Sequence, residues 1–313
     1  MSAAAPADAD GTKLAGIGLL LFTLFLFSCQ DIAAKLLFPY FPVLFIIWFR
    51  FFGNLLLNLV QVGFSEAGIL RSLRTPRWRL QLARSFFLAA TSYLYYSAIE
   101  TLPLTTSISV FFIYPMLIAG LAPFVLGERL PPARWIFIGL GMAGVLLVMR
   151  PGTEDFSWRF VYVLAAACTF SCYTMLTRLL AKADPVATTT LYTSFGGVLM
   201  LLPPLLLISG TWEGPDSLWL WAAAMSLGVV FGGFGHYLLI YASRLVPAPE
   251  MASWFYTQIV WMVIADVFFF DTVPDAFALL GCAVVIVANV FIVRMELRAA
   301  RQLAAAQAAS SLD

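Results

Sequence analysis

The chain carries one pattern twice. Phe27-Ser28-Cys29 followed by Lys35-Leu36-Leu37 returns as Phe170-Ser171-Cys172 followed by Arg178-Leu179-Leu180. At the same offset Pro42-Val43 recurs as Pro185-Val186 and Phe52-Gly53 as Phe195-Gly196. With one residue of slippage Tyr93-Leu94 recurs as Tyr237-Leu238, Pro103 as Pro247 and Ser109 as Ser253. A duplicated chain must fold as two copies of one unit. In a membrane chain, duplication marks transporters whose halves move against each other around a central site.

Composition makes lipid the solvent. Of 313 residues, 62% are hydrophobic and 11% charged, whereas an ordinary soluble domain carries about 25% charge. Segments long enough to cross roughly 30 Å of hydrocarbon at 1.5 Å per residue fall at 14–37, 42–62, 79–100, 105–126 and 133–149, then at 159–180, 186–208, 218–241, 249–270 and 276–294. The predicted fold is therefore an all-α integral membrane protein of ten transmembrane helices. Each half holds an odd number of spans, so the second copy enters the membrane from the opposite side, giving two inverted five-helix repeats over 14–152 and 153–295. Within a helix each crossing backbone group is satisfied internally.

With the N-terminus inside, the cytoplasmic ends collect Lys13, Arg71, Arg74, Arg77, Arg79, Arg84, Arg129, Arg134, Arg178, Lys182, Arg244, Arg294, Arg298 and Arg301, while Lys35, Arg150 and Arg159 fall outside. This bias places both termini in the cytoplasm. Residues 1–13 lack a basic leader before an apolar core and read as a disordered tail rather than a cleaved signal. Residues 296–313 read as a tail that frays. The net charge of +1 gives no hint of a nucleic-acid partner. Cys29, Cys168, Cys172 and Cys282 have no paired spacing for zinc and read as small buried residues.

Trp48-Phe49-Arg50-Phe51 in the second span, Gly127-Glu128-Arg129-Leu130 after the fourth, and Gly139-Leu140-Gly141-Met142-Ala143-Gly144-Val145-Leu146-Leu147 ending in Arg150-Pro151-Gly152 form an ordered set. With ten spans and a doubled half, this resembles the EamA branch of the drug/metabolite transporter superfamily, from about Leu14 to Met295. The resemblance implies a cavity enclosed by the first four spans of each half, with the fifth and tenth to one side. It also implies alternating access to a small metabolite, often by export. The second half departs from the pattern: Phe270-Asp271-Thr272 stands where Gly127-Glu128-Arg129 would repeat, and Ile259 replaces the helix-breaking Pro115. Gating at the two ends is then expected to be unequal.

Arg50 lies roughly 12 Å and Asp31 about 9 Å from the outer ends of neighbouring antiparallel spans. A charge so deep needs a partner. Asp31 and Arg50 can pair or share a water network, serving either helix packing or substrate binding and gating; Asp31 can also bond Lys35 one turn on. The single histidine, His236, follows Gly232-Gly233-Phe234-Gly235, glycines that admit a neighbouring helix or ligand. It is either a packing histidine or a proton-sensing one. Glu250, after Pro247-Ala248-Pro249, suits ordinary helix-start chemistry or a coupling role, and Thr105 and Thr106 after Pro103 read the same way. Asp266 falls near an outer interface, where charge costs little.

Aromatic residues are 15% of the chain. Tyr93, Tyr96, Phe112, Tyr173, Tyr237 and Trp254 fall in cavity-forming spans, whereas Trp212, Trp219 and Trp221 read as a headgroup belt. Helical spacing puts Thr105, Ser109, Phe112 and Met116 on one face and Trp254, Gln258 and Trp261 on another. Such mixed faces suit a solute better than lipid. Gly139 and Ala143 form a small-residue ridge usable within the chain or in a dimer.

The candidate substrate-binding set is therefore Arg50, Tyr93, Ser109, Phe112, Tyr173, His236, Tyr237, Trp254 and Gln258; Asp31, Arg50, His236 and Glu250 are the coupling or gating candidates. The expected function is secondary transport of an amphipathic small metabolite, such as an amino acid or a vitamin- or nucleoside-like compound, across a bacterial inner membrane. Partners are the substrate, the lipid bilayer and a coupled proton or other ion, with the chain a monomer or homodimer. No cofactor, metal or nucleic acid is expected. The competing classes are a membrane-embedded lipid-modifying enzyme, against which one histidine weighs, and a receptor or scaffold without flux.

Overall fold

The computed structural model describes residues 6–63, 68–126, 132–154, 156–181, 183–246, 251 and 254–310, which are largely helical with no strand among them. In chain order the elements are α1 (Pro6–Leu37), α2 (Val43–Gly63), α3 (Gly68–Ser72), α4 (Trp78–Ile99), α5 (Leu104–Phe111), α6 (Tyr114–Leu126) and α7 (Pro132–Met149). There follow α8 (Arg159–Ala181), α9 (Val186–Ser209), α10 (Leu218–Ser226), a π-helical segment (Leu227–Phe234), α11 (Gly235–Leu245), α12 (Thr257–Phe269) and α13 (Ala276–Ser310). Among the described residues, seven stretches are long and apolar enough to cross a membrane: Leu14–Leu37, Val43–Gly63, Leu104–Leu121, Arg159–Leu180, Val186–Ser209, Leu218–Leu245 and Ala276–Met295. Trp135–Met149 and Thr257–Phe269 are apolar but shorter.

The chain is thus an all-helical, multi-pass membrane protein. The third expected span, α4, is long but less apolar, because Gln81, Arg84, Ser85, Thr91, Ser92 and Ser97 lie on it. All six are buried, so its polarity is turned inward. Helix α1 already begins at Pro6, within the expected disordered tail, and α13 runs on to Ser310. The alanine-rich end has high helix propensity.

Helix α1 packs on α11 and α12, α2 on α9 and the π-helical segment, α4 on α8 and α9, α5 on α12, and α7 on α13. Small residues permit the tightest approaches. A Cβ on Gly144 would stand 3.0 Å from the Gly281 carbonyl oxygen, and one on Gly196 2.6 Å from the Ser85 Cβ. The α7–α13 contact uses Gly141 and Gly144, whereas Gly139 has nothing within 4 Å of its Cβ position and Ala143 is exposed. The predicted Gly139–Ala143 ridge therefore faces outward.

Two spans are interrupted. A turn at Phe112–Ile113 separates α5 from α6, and a turn at Phe255–Tyr256 precedes α12. The second forms with Ile259 in place of proline, its backbone tightened by Gln258 N–H to Phe255 O at 3.1 Å and Ile259 N–H to Tyr256 O at 3.1 Å. At the first turn, the buried Asn289 on α13 donates through Nδ2 to the Phe112 carbonyl at 3.0 Å, satisfying a group the break releases.

The aromatic belt is corrected in part. Trp219 is exposed, but Trp212 and Trp221 pack with Phe41, at ring-centroid distances of 5.6 and 5.1 Å. Trp221 Nε1 donates to Pro215 O at 2.9 Å, the partner a half-buried indole requires. Cys282 is buried, Cys29 and Cys172 are half-buried, and Cys168 is exposed on α8 rather than inside.

Candidate functional site

The helices enclose a cavity of about 390 Å³. Helix α4 supplies Leu88, Thr91, Ser92, Tyr95 and Tyr96, a stripe at i, i+3, i+4, i+7 and i+8. Asp31 and Gln30 come from α1, Arg50 from α2, Phe111 and Phe112 from the end of α5, Tyr114 from α6, and Phe170 and Tyr173 from α8. His236 on α11, Phe255 in the turn before α12 and Gln258 on α12 also line it. Among the described residues, neither α7 nor α13 contributes a lining residue.

A second cavity of about 250 Å³ adjoins the first, sharing Arg50, Leu88, Tyr173 and His236. Asn54, Asn58, Arg84 and Thr193 also line it, and its rim includes the exposed Gln61 and Val186. Contacts between helices tie the opposite end together. There Lys35 Nζ donates to the Leu102 carbonyl and lies 5.1 Å from the Phe270 ring centroid. The fully buried Asp266 accepts the backbone N–H groups of Leu104 at 2.9 Å and Thr105 at 2.7 Å. Asp266 is thus an inter-helix cap rather than an interfacial charge.

Asp31 and Arg50 face the same cavity without an ion pair between them. Tyr96 touches both: its hydroxyl donates to Asp31 at 3.2 Å, joined by that of Tyr95 at 3.4 Å, while the Arg50 guanidinium lies 5.6 Å from its ring centroid. Arg50 Nη1 donates to Ser92 Oγ at 2.9 Å. In place of the direct pair allowed by sequence, the two side chains share the cavity wall and a common contact with Tyr96.

His236 holds its Nδ1 2.5 Å from the Gly232 carbonyl and its ring 5.0 Å from Phe27. A carbonyl only accepts, so Nδ1 carries the hydrogen there. Phe112, Tyr173, Gln258, Arg50 and Asp31 line the main cavity with His236, while Tyr237 reaches only the second cavity and is half exposed.

Three expected residues lie elsewhere. Tyr93 is 43% exposed and off the α4 stripe. Ser109 is buried, donating to Thr105 O at 2.6 Å and sitting 2.7 Å from Cys282 Sγ. Trp254 packs against the cluster of Leu20, Leu24, Ala242, Val246 and Met251. Glu250, Ser253 and the Gly127-Glu128-Arg129 turn lie outside the described residues.

Arg84 and Tyr95 were missed. Arg84, assigned by sequence to a water-facing helix end, is 4% exposed. Its Nε donates to Thr177 Oγ1 at 2.6 Å, Nη1 to Thr189 O at 3.0 Å and Thr193 Oγ1 at 2.5 Å, and Nη2 to Tyr173 OH at 2.9 Å. The polar run Gln81, Arg84, Ser85 at helical spacing was the available signal. Among the described residues no group of three metal-ligating side chains occurs.

Comparison with known proteins fits this geometry. The sequence pattern of the EamA-like transporter family matches residues 14–150 and 157–294. The S-adenosylmethionine uptake transporter of Rickettsia felis is 28% identical over 295 residues, covering 93% of this chain and 97% of that protein. The riboflavin transporter of Vibrio cholerae is 24% identical over 238 residues, covering 75% of this chain and 78% of its own length. A solved crystal structure superposes with a TM-score of 0.63 at 19% identity, covering 92% of this chain and 99% of the other, a likeness of fold.

Proposed function

The chain belongs to the EamA-like transporter family, and from that premise we propose that its central cavity carries an amphipathic small metabolite across a membrane by alternating access. Members of this family are transporters of small metabolites rather than enzymes. The observation that carries the reading is the cavity itself: an apolar, aromatic enclosure with a few polar groups, including Arg50 and Asp31, is the usual form of a small-molecule site.

The two halves are proposed to be inverted repeats, over 14–152 and 153–295. Helix packing supports this, since exchanging the halves turns the α1–α11 contact into α8–α4 and returns α2–α9, α5–α12 and α7–α13 to themselves. Both termini are assigned to the cytoplasm from the basic residues, so the rim at Gln61 and Val186 would face inward and the end tied by Lys35 and Asp266 outward. Uptake is the direction we propose, because the Rickettsia felis relative is named for it. Asp31 and His236 are the proposed coupling groups, since each faces the cavity and each changes charge on taking up a proton.

Flux into proteoliposomes tests the site, with S-adenosylmethionine and riboflavin as probes. Phe112→Ala and Tyr173→Ala are each expected to lower flux of the transported probe at least tenfold, through loss of aromatic contact area. Trp254→Ala, outside the cavity, should retain it. Undiminished flux in both cavity variants would place the path elsewhere. Orientation is tested in a cysteine-free background: Asp216→Cys is expected to react with an impermeant reagent in intact cells, and Arg74→Cys to be shielded. The reverse pattern would invert the topology.

A further inference from the structure

Taking the main cavity as the transport site, we infer that Asn289, which lines neither cavity, is a positioning residue for transport. Its amide holds the interrupted span α5–α6 from behind, so that the aromatic side chains at the break stand in the cavity wall.

Asn289 sits in the most apolar of the seven described crossing stretches, whose mean hydropathy is 2.7 against 1.6 to 1.9 in the others. It is the one amide, hydroxyl or charge between Ala276 and Val293, and it is fully buried. A polar group in such a place is expensive. Both of its Nδ2 hydrogens are committed, one to the Val285 carbonyl of its own helix and one across to the Phe112 carbonyl, each at 3.0 Å. Its Oδ1 is buried with no hydrogen-bond partner among the described residues, which is itself a cost. Leucine, of similar size, would fill the space without that cost. What the amide adds over an apolar side chain is the bond to Phe112.

The Phe112 carbonyl is open to that bond because the helix is broken there. Phe112 has a ψ of 8°, against about −42° in a regular helix. Pro115 has no N–H to offer the preceding turn, and the Met116 N–H bonds Ile113 O at 2.9 Å instead of Phe112 O. Around the break, Phe111, Phe112 and Tyr114 all line the main cavity. The Phe112 ring meets Tyr256 of the second interrupted span edge-on, at a centroid distance of 5.2 Å. Ser171 of α8 also approaches the break, 3.2 Å from Tyr114 O, but it shares its single hydrogen with Ala167 O at 2.7 Å. Asn289 commits a whole hydrogen. Without it the carbonyl must turn to find another donor, and the rings on that backbone turn with it.

Two variants separate the cross-helix bond from packing. In Asn289→Ser the hydroxyl is expected to fold back on the Val285 carbonyl, as Thr91 does on Phe87 and Ser92 on Leu88, losing only the bond to Phe112; Asn289→Leu loses both. Phe111→Cys in a cysteine-free background reports the wall with no ligand present. Either Asn289 variant should change its rate of alkylation by N-ethylmaleimide at least fivefold, while Thr91→Cys, on the unbroken α4 of the same cavity, changes less than twofold. In proteoliposomes, with S-adenosylmethionine or riboflavin as probe, KM should rise at least tenfold and the maximal rate stay within threefold. Cys282→Ala, a truncation in the same α5–α13 contact, should leave KM unchanged. In a Phe112→Ala background the Asn289 variants should add less than threefold, because the ring they misplace is gone. Parental alkylation in both variants, losses that multiply independently of Phe112, or failure of both variants to fold would make Asn289 a packing residue and overturn the inference. Parental KM in Asn289→Ser also overturns it, and leaves the transport site standing if Phe112→Ala and Tyr173→Ala still lower flux. If those two do not, the cavity reading falls; there, and where neither probe is carried, the alkylation rates decide the role of Asn289.

Discussion

Replacing Gly53 with valine is expected to prevent accumulation of folded protein. Here α2 crosses the π-helical segment backbone against backbone. A Cβ on Gly53 would lie 2.7 Å from the Val229 nitrogen and 2.8 Å from the Gly228 Cα; one on Gly228 would lie 2.5 Å from the Phe49 oxygen and 2.7 Å from the Arg50 oxygen. No side chain at this crossing can rotate aside, so the helices must separate. Overpacking alone costs about 1–3 kcal/mol, and separation also forfeits contacts that hold membrane helices together. Arg50 sits one turn from Gly53 and lines the cavity, so the strain reaches the site directly. Gly53→Ala should lower the thermal unfolding midpoint less than Gly53→Val, and Gly139→Ala should leave it unchanged. A folded Gly53→Val protein with the parental midpoint would show that the crossing is looser than it looks.

Membrane class was legible because hydropathy is a direct reading of solvent, and Arg50 and Asp31 were legible as cavity residues because charge at that depth needs a reason. Side-chain direction was less legible wherever a helix breaks. Trp254 and Gln258 share a face only if the helix runs unbroken between them, yet the turn at Phe255–Tyr256 intervenes. Gln258 reaches the cavity while Trp254 packs against Leu20 and Leu24. The turn at Phe112–Ile113 likewise separates Ser109 and Phe112 from Met116, which lies against Gly141. In the unbroken α4, spacing would have sufficed: Leu88, Thr91, Ser92, Tyr95 and Tyr96 form one stripe, and Tyr93 falls off it.

The π-helical segment was illegible for a different reason. Its glycines correctly announced close approach, since a Cβ on Gly235 would stand 2.8 Å from the Phe27 ring. They could not announce a widened turn, which depends on a distant partner. Gln30 of α1 donates to the Leu227 carbonyl at 2.6 Å, and a Cβ on Gly232 would sit 3.2 Å from that same Gln30 nitrogen. The irregular backbone is tolerated because protein satisfies it inside the membrane, and such segments are frequent at functional sites.

Asp266→Ala is expected to destabilise the fold and to loosen its tied end. Pro103, at the start of α5, provides no side-chain cap, so the first N–H groups of that helix need an acceptor from elsewhere. Asp266 supplies it from α12 through two bonds at 2.9 and 2.7 Å, with its side chain fully buried. Hydrogen bonds to a charged group contribute about 1.5–3 kcal/mol each, so losing both should cost about 3 kcal/mol or more. The Lys35 ammonium, within electrostatic reach of the carboxylate, loses its neighbouring anion as well. In Asp266→Asn the amide oxygen can still accept one N–H but the amide nitrogen cannot accept the other, so an intermediate loss follows. The expected order of thermal midpoints is parental, then Asn, then Ala, and a cysteine at Leu102 should become more reactive towards thiol reagents in the same order. Unchanged midpoints with unchanged Leu102→Cys labelling would mean that α5 is held at this end by packing alone.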